Sequence, residues 1–293
     1  MYLITGAGGQ LGHDLALVLG GQDRAFLACT RAELDICDLE AIEKVLARTQ
    51  ARVLFNCAAY TQVDKAESEG ERAWQVNALA PGLLARACQA YDCRLIHIST
   101  DYVFDGQAST PYPEDAPTRP LGSYGQSKRA GEVAVLQSSD AHLVVRTAWL
   151  YGVGGSNFVR TILRLAKERE RLRVVADQVG SPTWSYDLAV ALVGLADGNA
   201  AGGIYHLTNS GVTSWYDFAV AIVEEAEALG EKDFRLGDIE PIATADYPTA
   251  AARPAYSVLA TARAAQLLGA PLPQWRKGLR RMLAQLYEQE EKR

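Results

Sequence analysis

Tyr124 and Lys128 stand four residues apart in a segment of helical composition, and this spacing indicates acid–base chemistry. At positions i and i+4 of a helix, two side chains lie on one face, one turn apart. A free phenol has a pKa of about 10 and a free lysine about 10.4, so neither moves protons readily at neutral pH. A nearby ammonium favours the phenolate and lowers the pKa of the tyrosine. We therefore interpret the pair as a tyrosine acid–base group tuned by a lysine.

The segment before this pair supplies a third polar group. Thr100 follows the apolar run RLIHIS, so we expect its hydroxyl at the end of a strand, where it can hold a carbonyl oxygen beside the phenol. A Tyr-x-x-x-Lys pair also arises by chance in many helices, so the interpretation depends on the elements around it. The intervening loop is expected to form a wall for the substrate through Tyr102, Val103, Phe104 and Asp105.

A glycine loop near the N-terminus indicates a dinucleotide site. The stretch TGAGGQLG places Gly6, Gly9 and Gly12 between the apolar run YLIT and a segment of helical period. Glycine lets the backbone turn tightly and approach a pyrophosphate, which then faces the amides of the helix N-terminus. A glycine-rich turn without a ligand is the alternative. The strand–loop–helix context favours the cofactor site.

The residues after the second apolar run bear on the choice of cofactor. An enzyme that prefers NAD usually carries Asp or Glu at this point, whereas this chain has Cys-Thr-Arg. Arg31 could pair with the 2′-phosphate of NADP(H), or it could be a solvated surface arginine. We expect NADP(H), with use of NADH left open. Asp38 is a candidate helix N-cap, and a helix start at this position can also lie beside the adenine.

Small residues follow the third apolar run, VLFN. Ala58 and Ala59 would let a cofactor approach the carboxyl end of a central strand closely. Tyr60 either faces the nicotinamide or caps the sheet, and spacing does not rank the two. The glycine loop, this strand end, the Thr100 hydroxyl and the Tyr-x-x-x-Lys pair thus occur in an order that brings all four to one crevice.

Short apolar runs alternate with helical segments in the first half of the chain. This alternation predicts an α/β fold with a doubly wound parallel (Rossmann) sheet covered by helices on both faces. The pattern loosens after about residue 150. The predicted strands are 2–5, 25–28, 53–56, 94–99, 142–146, the run LRVVADQ and 204–208; later helices are predicted at 157–171, 186–196, from Trp215 and from Trp275 to the end, with 230–273 loop-like.

We expect two domains within this pattern. A Rossmann domain that binds NADP(H) is predicted over residues 1–172, and a smaller C-terminal substrate-binding domain over 173–293. The chain is expected to return to the first domain near 204–222.

Composition and charge exclude several classes of protein. The 293 residues carry a net charge of −6 with a pI near 5.4, which argues against nucleic acid as the main partner. The five cysteines are odd in number and lack C-x-x-C spacing, and the four histidines are scattered, so neither a disulfide framework nor a zinc site is expected. The first residues lead directly into a strand, and the apolar stretch 188–196 is too short to span a membrane. We expect a cytoplasmic protein.

As a set, the motifs TGAGGQLG, NCAAYTQVDKAESE, VNALAPGLLA, ISTDYVFDG, PYPEDAPTRPLGSYGQSKRAGE, RTAWLYG, NFVRTILRLAKERERLRVVADQVGSPT and RPAYSVL resemble the extended short-chain dehydrogenase/reductase family. Within that family they resemble the dTDP-4-dehydrorhamnose reductases. The motifs cover most of residues 2–260. The resemblance implies a catalytic set of Thr100, Tyr124 and Lys128, cofactor contacts from Gln10, Leu11, Asp38, Leu39 and Ala58 to Tyr60, and substrate contacts from Thr100, Asp101 and Trp149.

Other points of the resemblance are less direct. Tyr60 departs from the family pattern, since many members carry His there. Some members use magnesium through C-terminal glutamates, but 288, 290 and 291 are interpreted here as a solvated charged end, and no metal is predicted. Trp149 could also be a core tryptophan. Arg253 could bind the substrate diphosphate or form a surface ion pair.

The reaction implied is reduction of the C4 ketone of a dTDP-4-keto-6-deoxyhexose by hydride from NAD(P)H. The specific expectation is dTDP-4-dehydro-L-rhamnose to dTDP-L-rhamnose, the last step of dTDP-rhamnose synthesis. One alternative is another sugar-nucleotide epimerase, dehydratase or reductase, although an acidic partner after Asp101, which dehydration would need, is missing. Another is a non-catalytic NADP-binding regulatory subunit, like that of methionine adenosyltransferase. Dimers are common in this fold, so a homodimer stays open.

Overall fold

The computed structural model of the chain describes residues 1–198 and 200–291. Its strands are β1 Tyr2–Thr5, β2 Phe26–Cys29, β3 Val53–Asn56, β4 Arg94–Thr100, β5 Leu143–Thr147, β6 Leu150–Tyr151, β7 Arg171–Val175, β8 Val179–Gly180, β9 Thr183–Trp184, β10 Gly203–His206, β11 Thr213–Ser214 and β12 Asp238–Ile242. Its helices are α1 Gln10–Gly21, α2 Leu39–Thr49, α3 Val63–Ala66, α4 Gly70–Trp74, α5 Ala80–Ala90, α6 Ser123–Ser138, α7 Phe158–Glu168, α8 Ser185–Asp197, α9 Trp215–Ala228, α10 Ala262–Leu268 and α11 Trp275–Glu291.

A six-stranded sheet in the order β10-β5-β4-β3-β1-β2 forms the centre of the molecule. Every neighbouring pair in it is parallel. From β1 the chain moves outward to β2 and then returns to β3 on the other side. A crevice therefore opens at the carboxyl ends of β1 and β3, where this class of sheet binds ligands. The prediction of a doubly wound α/β fold is confirmed.

Helices cover both faces of the sheet. On one face, α1 and α8 contribute Leu15 and Leu192 to a core that includes Phe55 of β3. On the other face, α2 and α5 contribute Ile42 and Leu84 to a second core. The strands between these layers read as continuous apolar runs because both of their faces are buried. This burial explains why the sequence pattern located them.

The C-terminal half builds a third core beside the sheet. Phe218 of α9 and Leu279 of α11 pack there with Ile162 of α7. Strand β10 also comes from this half, and it completes the central sheet by pairing with β5. A boundary at 172/173 between two domains stays a proposal. The helix predicted from Trp275 to the end is observed to Glu291, and residues 292–293 of that prediction lie outside the described residues.

The prediction that 230–273 is loop-like is partly wrong. The segment holds strand β12, which pairs with β7, and the short helix α10. Pro241 lies within β12, and a proline is tolerated there because the strand pairs with β7 alone in the two-stranded sheet that it forms. The helix α10 buries Ala264 and little else, so its apolar pattern is faint. Both elements are too short and too weakly patterned for a reading by periodicity.

The segment from 67 to 91, which has one continuous helical period in the sequence, is interrupted in the structure. A π-helical turn over Gln75–Leu79 separates α4 from α5. Pro81 follows at the start of α5 and has no N–H to donate to the carbonyl of Asn77, four residues earlier. The turn buries Asn77, whose amide bonds both backbone polar groups of Tyr60, at 2.9 and 3.0 Å. The irregularity therefore holds the loop that follows β3.

Candidate active site

A cavity of about 730 Å³ lies at the carboxyl ends of β1, β3, β4 and β5. The glycine loop closes one side of it and the first turn of α6 the other. Its wall includes most of the residues that the sequence singled out. These are Gly6, Gly9, Gln10, Leu11, Gly12, Arg31, Ala58, Ala59, Tyr60, Thr100, Asp101, Tyr102, Tyr124, Lys128 and Trp149.

The glycine loop meets the strand next to it without space for side chains. Gly6 has a φ of +72°, and a Cβ there would lie 2.6 Å from the backbone nitrogen of Ala58. A Cβ on Gly12 would collide with the carbonyl of Gly6. Gly9 caps α1 in an extended conformation, so the first amides of that helix are free to face an anion. The loop therefore fits a pyrophosphate at the helix N-terminus.

The aspartate in the cavity wall near Arg31 is not Asp38. Asp38 caps α2 by accepting from the amide of Ala41 at 3.1 Å, and neither it nor the exposed Leu39 belongs to the cavity wall. Asp35 and Ile36 line the cavity instead. The sequence LDICDLE offers two aspartates three residues apart, and a capping role for the second leaves the first available for the cavity.

Tyr60 is part of the cavity wall, so it does more than cap the sheet. Its phenol donates to Glu69 at 2.9 Å, and its backbone is held by Asn77. Ala58 and Ala59 present small side chains beside the glycine loop. This part of the wall therefore leaves room for a flat group above the end of β3.

The structure brings Thr100, Tyr124 and Lys128 to the same cavity wall. Thr100 ends β4, and Tyr124 lies in the first turn of α6. The ring of Tyr124 packs edge-on against Tyr102, with centroids 5.6 Å apart. The amide of Ser123 donates to Glu67 at 2.8 Å, which anchors the start of α6. The sheet edge and this anchored helix turn thus place the hydroxyl, the phenol and the amine together.

The pKa of Tyr124 differs from the sequence-based expectation. Burial raises it to about 12, a bond from Thr100 works in the opposite direction, and the charge of Asp101 raises it further. Lys128 is itself buried, which lowers the pKa of its amine to about 8 against the charges of Glu132 and Cys57. Desolvation is thus the dominant effect, and the net pKa of Tyr124 lies above that of a free phenol, not below it as the sequence predicted. At neutral pH the phenol is protonated, which is the form that an acid requires.

Asp101 is a buried carboxyl at the wall of the cavity. Its Oδ1 accepts from the hydroxyl of Thr100 at 3.0 Å, while Oδ2 has no hydrogen-bond partner among the described residues. Burial raises its pKa to about 6, and the nearby hydroxyls of Ser257 and Thr100 act in the opposite direction. A buried carboxylate oxygen without a partner fits a donor group of a bound ligand.

Trp149 lies at the rim of the cavity in a strained conformation. Its φ of 47° is in the left-handed region, which is costly for a bulky residue. Its indole stacks on Trp215, with centroids 3.5 Å apart and planes 6° apart. Trp149 is therefore held by packing against Trp215 and at the same time lines the cavity.

Two predicted substrate residues lie elsewhere. Phe104 is fully buried, stacks on Tyr112 with centroids 4.2 Å apart, and is covered by the guanidinium of Arg146. It supports the wall from behind because its ring belongs to a small core. Arg253 pairs with Asp64 at 2.7 Å and is outside the cavity wall. In the structure Arg253 therefore forms an ion pair, which is one of the two alternatives considered for it from the sequence.

Several wall residues were missed from the sequence. Arg72 and Val76 come from α4 and the π-helical turn, and the wall also includes Ser156. A helical period does not reveal that a helix is interrupted and turned toward a ligand site. Within the described ranges, no group of three or more His, Cys, Asp or Glu side chains is arranged to hold a metal ion.

Comparison with known proteins gives a consistent family. The model described as "RmlD substrate binding domain" matches residues 1–288. A dTDP-4-dehydrorhamnose reductase of Mycolicibacterium smegmatis is 46% identical over 284 residues, spanning 96% of this chain and 84% of that protein. One from Burkholderia thailandensis is 43% identical over 285 residues, spanning 94% of this chain and 95% of that protein.

Solved structures agree with this grouping. A dTDP-4-dehydrorhamnose reductase from Bacillus anthracis, in complex with NADP, has a TM-score of 0.90 and 38% identity, covering 97% of this chain and 98% of that one. One from Clostridium acetobutylicum has a TM-score of 0.90 and 37% identity, covering 98% and 99%. A UDP-glucose 4-epimerase of Thermus thermophilus, at 19% identity and a TM-score of 0.81, shares the fold alone. The chain therefore belongs to the RmlD substrate binding domain family, whose members similar to it include the dTDP-4-dehydrorhamnose reductases.

Proposed function

We propose that this chain reduces the C4 ketone of dTDP-4-dehydro-L-rhamnose to give dTDP-L-rhamnose, with NADPH as the hydride donor. The observation that carries the proposal is the convergence of Thr100, Tyr124 and Lys128 on one cavity with the glycine loop. Relatives at 43–46% identity carry the corresponding name. Use of NADH as an alternative donor remains part of the proposal.

The residues of the cavity fit a dinucleotide. The close approach at Gly6 and the open amides of α1 suit the pyrophosphate, and Asp35 and Ile36 would border the adenosine. Arg31, at the same end, offers a cation for a 2′-phosphate. When bound, the cofactor supplies the hydride that goes to C4 of the sugar. Ala58, Ala59 and Tyr60 would lie beside its nicotinamide end.

Tyr124 serves as the acid in this proposal. As hydride reaches C4, the bond to the carbonyl oxygen becomes single, and the phenol gives its proton to that oxygen, which leaves an alcohol and a phenolate. The hydroxyl of Thr100, which donates to Asp101 in the structure, would turn to donate to the same oxygen and orient it. Lys128 stabilises the phenolate by its charge. Proton transfer from a positioned group contributes about 10²–10⁴-fold to the rate.

Asp101, Tyr102 and Trp149 are the proposed substrate contacts. The unpartnered Oδ2 of Asp101 would accept from a sugar hydroxyl, and the indole of Trp149 would cover an apolar face of the sugar or base. A role of Arg253 toward the diphosphate requires that its pair with Asp64 opens. Phe104 contributes only by supporting the wall.

A second substrate is favoured by one relative. A protein of Streptomyces antibioticus named "Probable dTDP-4,6-dihydroxy-2-methyloxan-3-one 4-ketoreductase" is 42% identical over 280 residues, spanning 95% of this chain and 93% of that protein. Its name describes the same change, reduction at C4, on a different dTDP-linked sugar. The acid and its helpers would be shared between the two reactions. The contacts of the sugar ring would differ.

A reductase is favoured over a regulatory subunit because Thr100, Tyr124 and Lys128 all line the cavity, and over an epimerase because the relatives at 43–46% identity are named as reductases. Among the described residues no helix has the length and apolar character needed to cross a membrane. We further propose a cytoplasmic location, no nucleic-acid partner, and a monomer or homodimer.

The test is a cofactor-oxidation assay with several sugar nucleotides. NADPH and NADH are supplied in parallel with dTDP-4-dehydrorhamnose and with the sugar named for the Streptomyces relative. We expect one equivalent of NADPH to be consumed for each dTDP-rhamnose formed. Turnover without net oxidation would indicate an epimerase instead. Binding of NADPH without oxidation in the presence of any of these sugars would indicate a regulatory protein.

A further inference from the structure

A line of buried polar side chains runs beneath Lys128 through three neighbouring strands. Thr5 ends β1, Asn56 ends β3, and His97 lies within β4, and each is fully buried. The Thr5 hydroxyl donates to Asn56 Oδ1 at 2.8 Å, Asn56 Nδ2 lies 3.0 Å from His97 Nδ1, and His97 Nε2 lies 3.5 Å from Lys128 Nζ. The reaction proposed above gives these three residues no role.

The orientation of the Asn56 amide is determined by its neighbours. The backbone N–H of Ala58 points at one atom of that amide, at 3.2 Å, and an N–H can only donate. That atom must therefore be the oxygen, which also accepts from Thr5. The amide nitrogen then faces His97 Nδ1 as a donor.

This orientation selects one tautomer of His97. Because Nδ1 accepts from Asn56, the proton of the neutral ring must be on Nε2. The ring is neutral, since burial, and after it the charge of Lys128, hold its pKa well below the usual value. The Nε2–H of His97 is thus directed toward the nitrogen of Lys128.

A donor directed at an amine distinguishes its two protonation states. An ammonium carries only donors, whereas a neutral amine has a lone pair that can accept. Lys128 Nζ donates to the carbonyl of Ile98 at 2.6 Å, which either state can do. The N–H of His97 therefore opposes the ammonium and favours the neutral amine.

Other groups around the amine act in both directions. Glu132 and Tyr124 lie on the same helix as Lys128, Cys57 follows β3, and Asp101 follows β4. Glu132 and Cys57 favour the ammonium, while burial favours the amine. His97 approaches the amine from the sheet, and its N–H acts together with burial to favour the neutral amine.

We propose that His97 is a positioning residue that holds the Lys128 amine against the sheet edge and destabilises its ammonium form. The proposal rests on the role of Lys128 in the ketone reduction above. A lysine that gains and loses a proton near neutral pH can return one to Tyr124 after the phenol has acted. In that step Lys128 passes from ammonium to amine, the phenolate becomes a phenol again, and water then reprotonates the amine.

The tautomer is measured directly by NMR. The ¹⁵N shifts of the His97 ring distinguish an Nε2–H from an Nδ1–H form, and the signal is assigned by its loss in His97→Gln. We expect the Nε2–H form in the wild-type chain. An Nδ1–H ring, or a charged one, would overturn the proposal without any reference to turnover.

The effect on Lys128 is measured by titrating its side-chain ¹⁵N signal, assigned by its loss in Lys128→Met, with and without added NADPH. In His97→Leu the donor is gone, and we expect the midpoint to rise by about one pH unit. In His97→Gln an amide N–H can occupy the place of Nε2, so the midpoint should stay near that of the wild type. A midpoint in His97→Leu that is unchanged or lower contradicts the proposal.

The pH profile of kcat provides the link to function. The limb assigned to Lys128 should move with the NMR midpoint in His97→Leu and return in His97→Gln. If no sugar nucleotide is reduced while the tautomer and the midpoints are as expected, the proposed function fails and the assignment of His97 stands. If His97→Leu does not fold, the tautomer of the wild-type chain decides.

Discussion

Tyr124 shows how strongly a single environment can alter a side chain that the sequence singles out. The spacing to Lys128 located the pair, but it did not reveal that Lys128 is fully buried and that Tyr124 is partly buried. Burial makes the phenol a weaker acid and the amine a weaker base. For reduction this is the useful direction, since the proton stays on the phenol until the sugar oxygen becomes basic.

Replacement of Tyr124 by Phe should remove the acid and leave the site otherwise intact. We expect kcat to fall by about 10²–10⁴-fold, because a positioned proton donor is lost. Cofactor affinity, measured by fluorescence titration with NADPH, should be unchanged. Tyr91→Phe, at an exposed tyrosine outside the cavity wall, is the matched control and should keep most of the activity. A Tyr124→Phe enzyme with a large share of wild-type turnover would exclude the phenol as the acid.

Asp101 should make stability depend on pH in an unusual direction. Its pKa is raised to about 6 in the folded chain, so the folded state is favoured while the carboxyl is protonated and loses that advantage as the pH rises from about 4 to 6. The stability of Asp101→Asn relative to the wild type should therefore increase by up to about 3 kcal/mol over this range and then level off. Urea unfolding at a series of pH values measures it.

Asp105→Asn is the control for this pH series. The pKa of Asp105 is lowered by the amide of Gln107 and the phenol of Tyr112, so its contribution to stability is present at neutral pH and is lost on acidification. The two variants should thus diverge in opposite directions as the pH rises. A flat difference for Asp101→Asn would show that this carboxyl ionises normally.

At the scale of elements, the five strands of the first half were found from sequence because each is a short apolar run in the central sheet, although β2 at its edge is only partly buried. The ends differ by one residue at most, as in β2, predicted at 25–28 and observed at Phe26–Cys29. What failed was local geometry. The π-helical turn, the short β12 and α10, and the presence of Asp35, not Asp38, in the cavity wall depend on contacts made in three dimensions, which a periodic pattern does not contain.

In the candidate site, too, the sequence reveals local requirements and does not reveal contacts made in three dimensions. The glycines and the proposed trio of Thr100, Tyr124 and Lys128 lie in the cavity wall and could be singled out because their backbone or chemical requirements are local, whereas Arg72 and Val76 could not. Phe104 was assigned to the substrate wall because it lies in the right loop, yet its ring packs on Tyr112. Sequence reveals which loop reaches the site, but the direction of each side chain is decided by packing.

The first turn of α9 should matter for the substrate end of the cavity. Trp215 begins this helix and stacks on Trp149, whose backbone is strained. In Trp215→Leu the stacking partner is removed, and we expect the KM for the sugar nucleotide to rise several-fold while NADPH binding is unchanged. Trp74→Leu, an exposed tryptophan of α4, is the control and should leave KM unaltered. If the KM for the sugar nucleotide is the same in both variants, Trp149 does not contribute to substrate binding.

At the scale of the whole molecule, a buried ion pair joins helix α6, which carries Tyr124 and Lys128, to the sheet. Glu132 of α6 accepts two bonds of 2.8 Å from Arg146 of β5, and Ser99 of β4 adds a third at 2.6 Å. Both charged groups are almost fully buried. Removal of one partner from such a pair leaves an uncompensated charge.

Glu132→Gln should therefore destabilise the fold by about 3–5 kcal/mol, because Arg146 keeps its charge in a buried place. Thermal or urea unfolding gives the value. Glu168→Gln removes the partner of Arg164 in an exposed i,i+4 pair, and its cost should be below about 1 kcal/mol. Equal costs in the two variants would mean that the buried pair contributes no more than a surface pair.

The proposed boundary at 172/173 can be tested by cutting the chain there. A fragment of residues 1–172 lacks β10, which pairs with β5, and α8, which packs on α1. We expect it to be poorly folded, since Leu15 and its neighbours would face water and β5 would become an open edge. Circular dichroism and size-exclusion chromatography report the outcome. A monomeric, cooperatively unfolding fragment would show that the first 172 residues suffice.

The pairing of β5 with β10 also has a consequence during synthesis. Leu143 pairs with Gly203, so the ribosome must add about sixty residues before the partner strand exists. At about 5–20 residues per second this takes roughly 3 to 12 seconds. Throughout that interval the nascent chain carries an unpaired apolar strand edge, and chaperones shield surfaces of this kind.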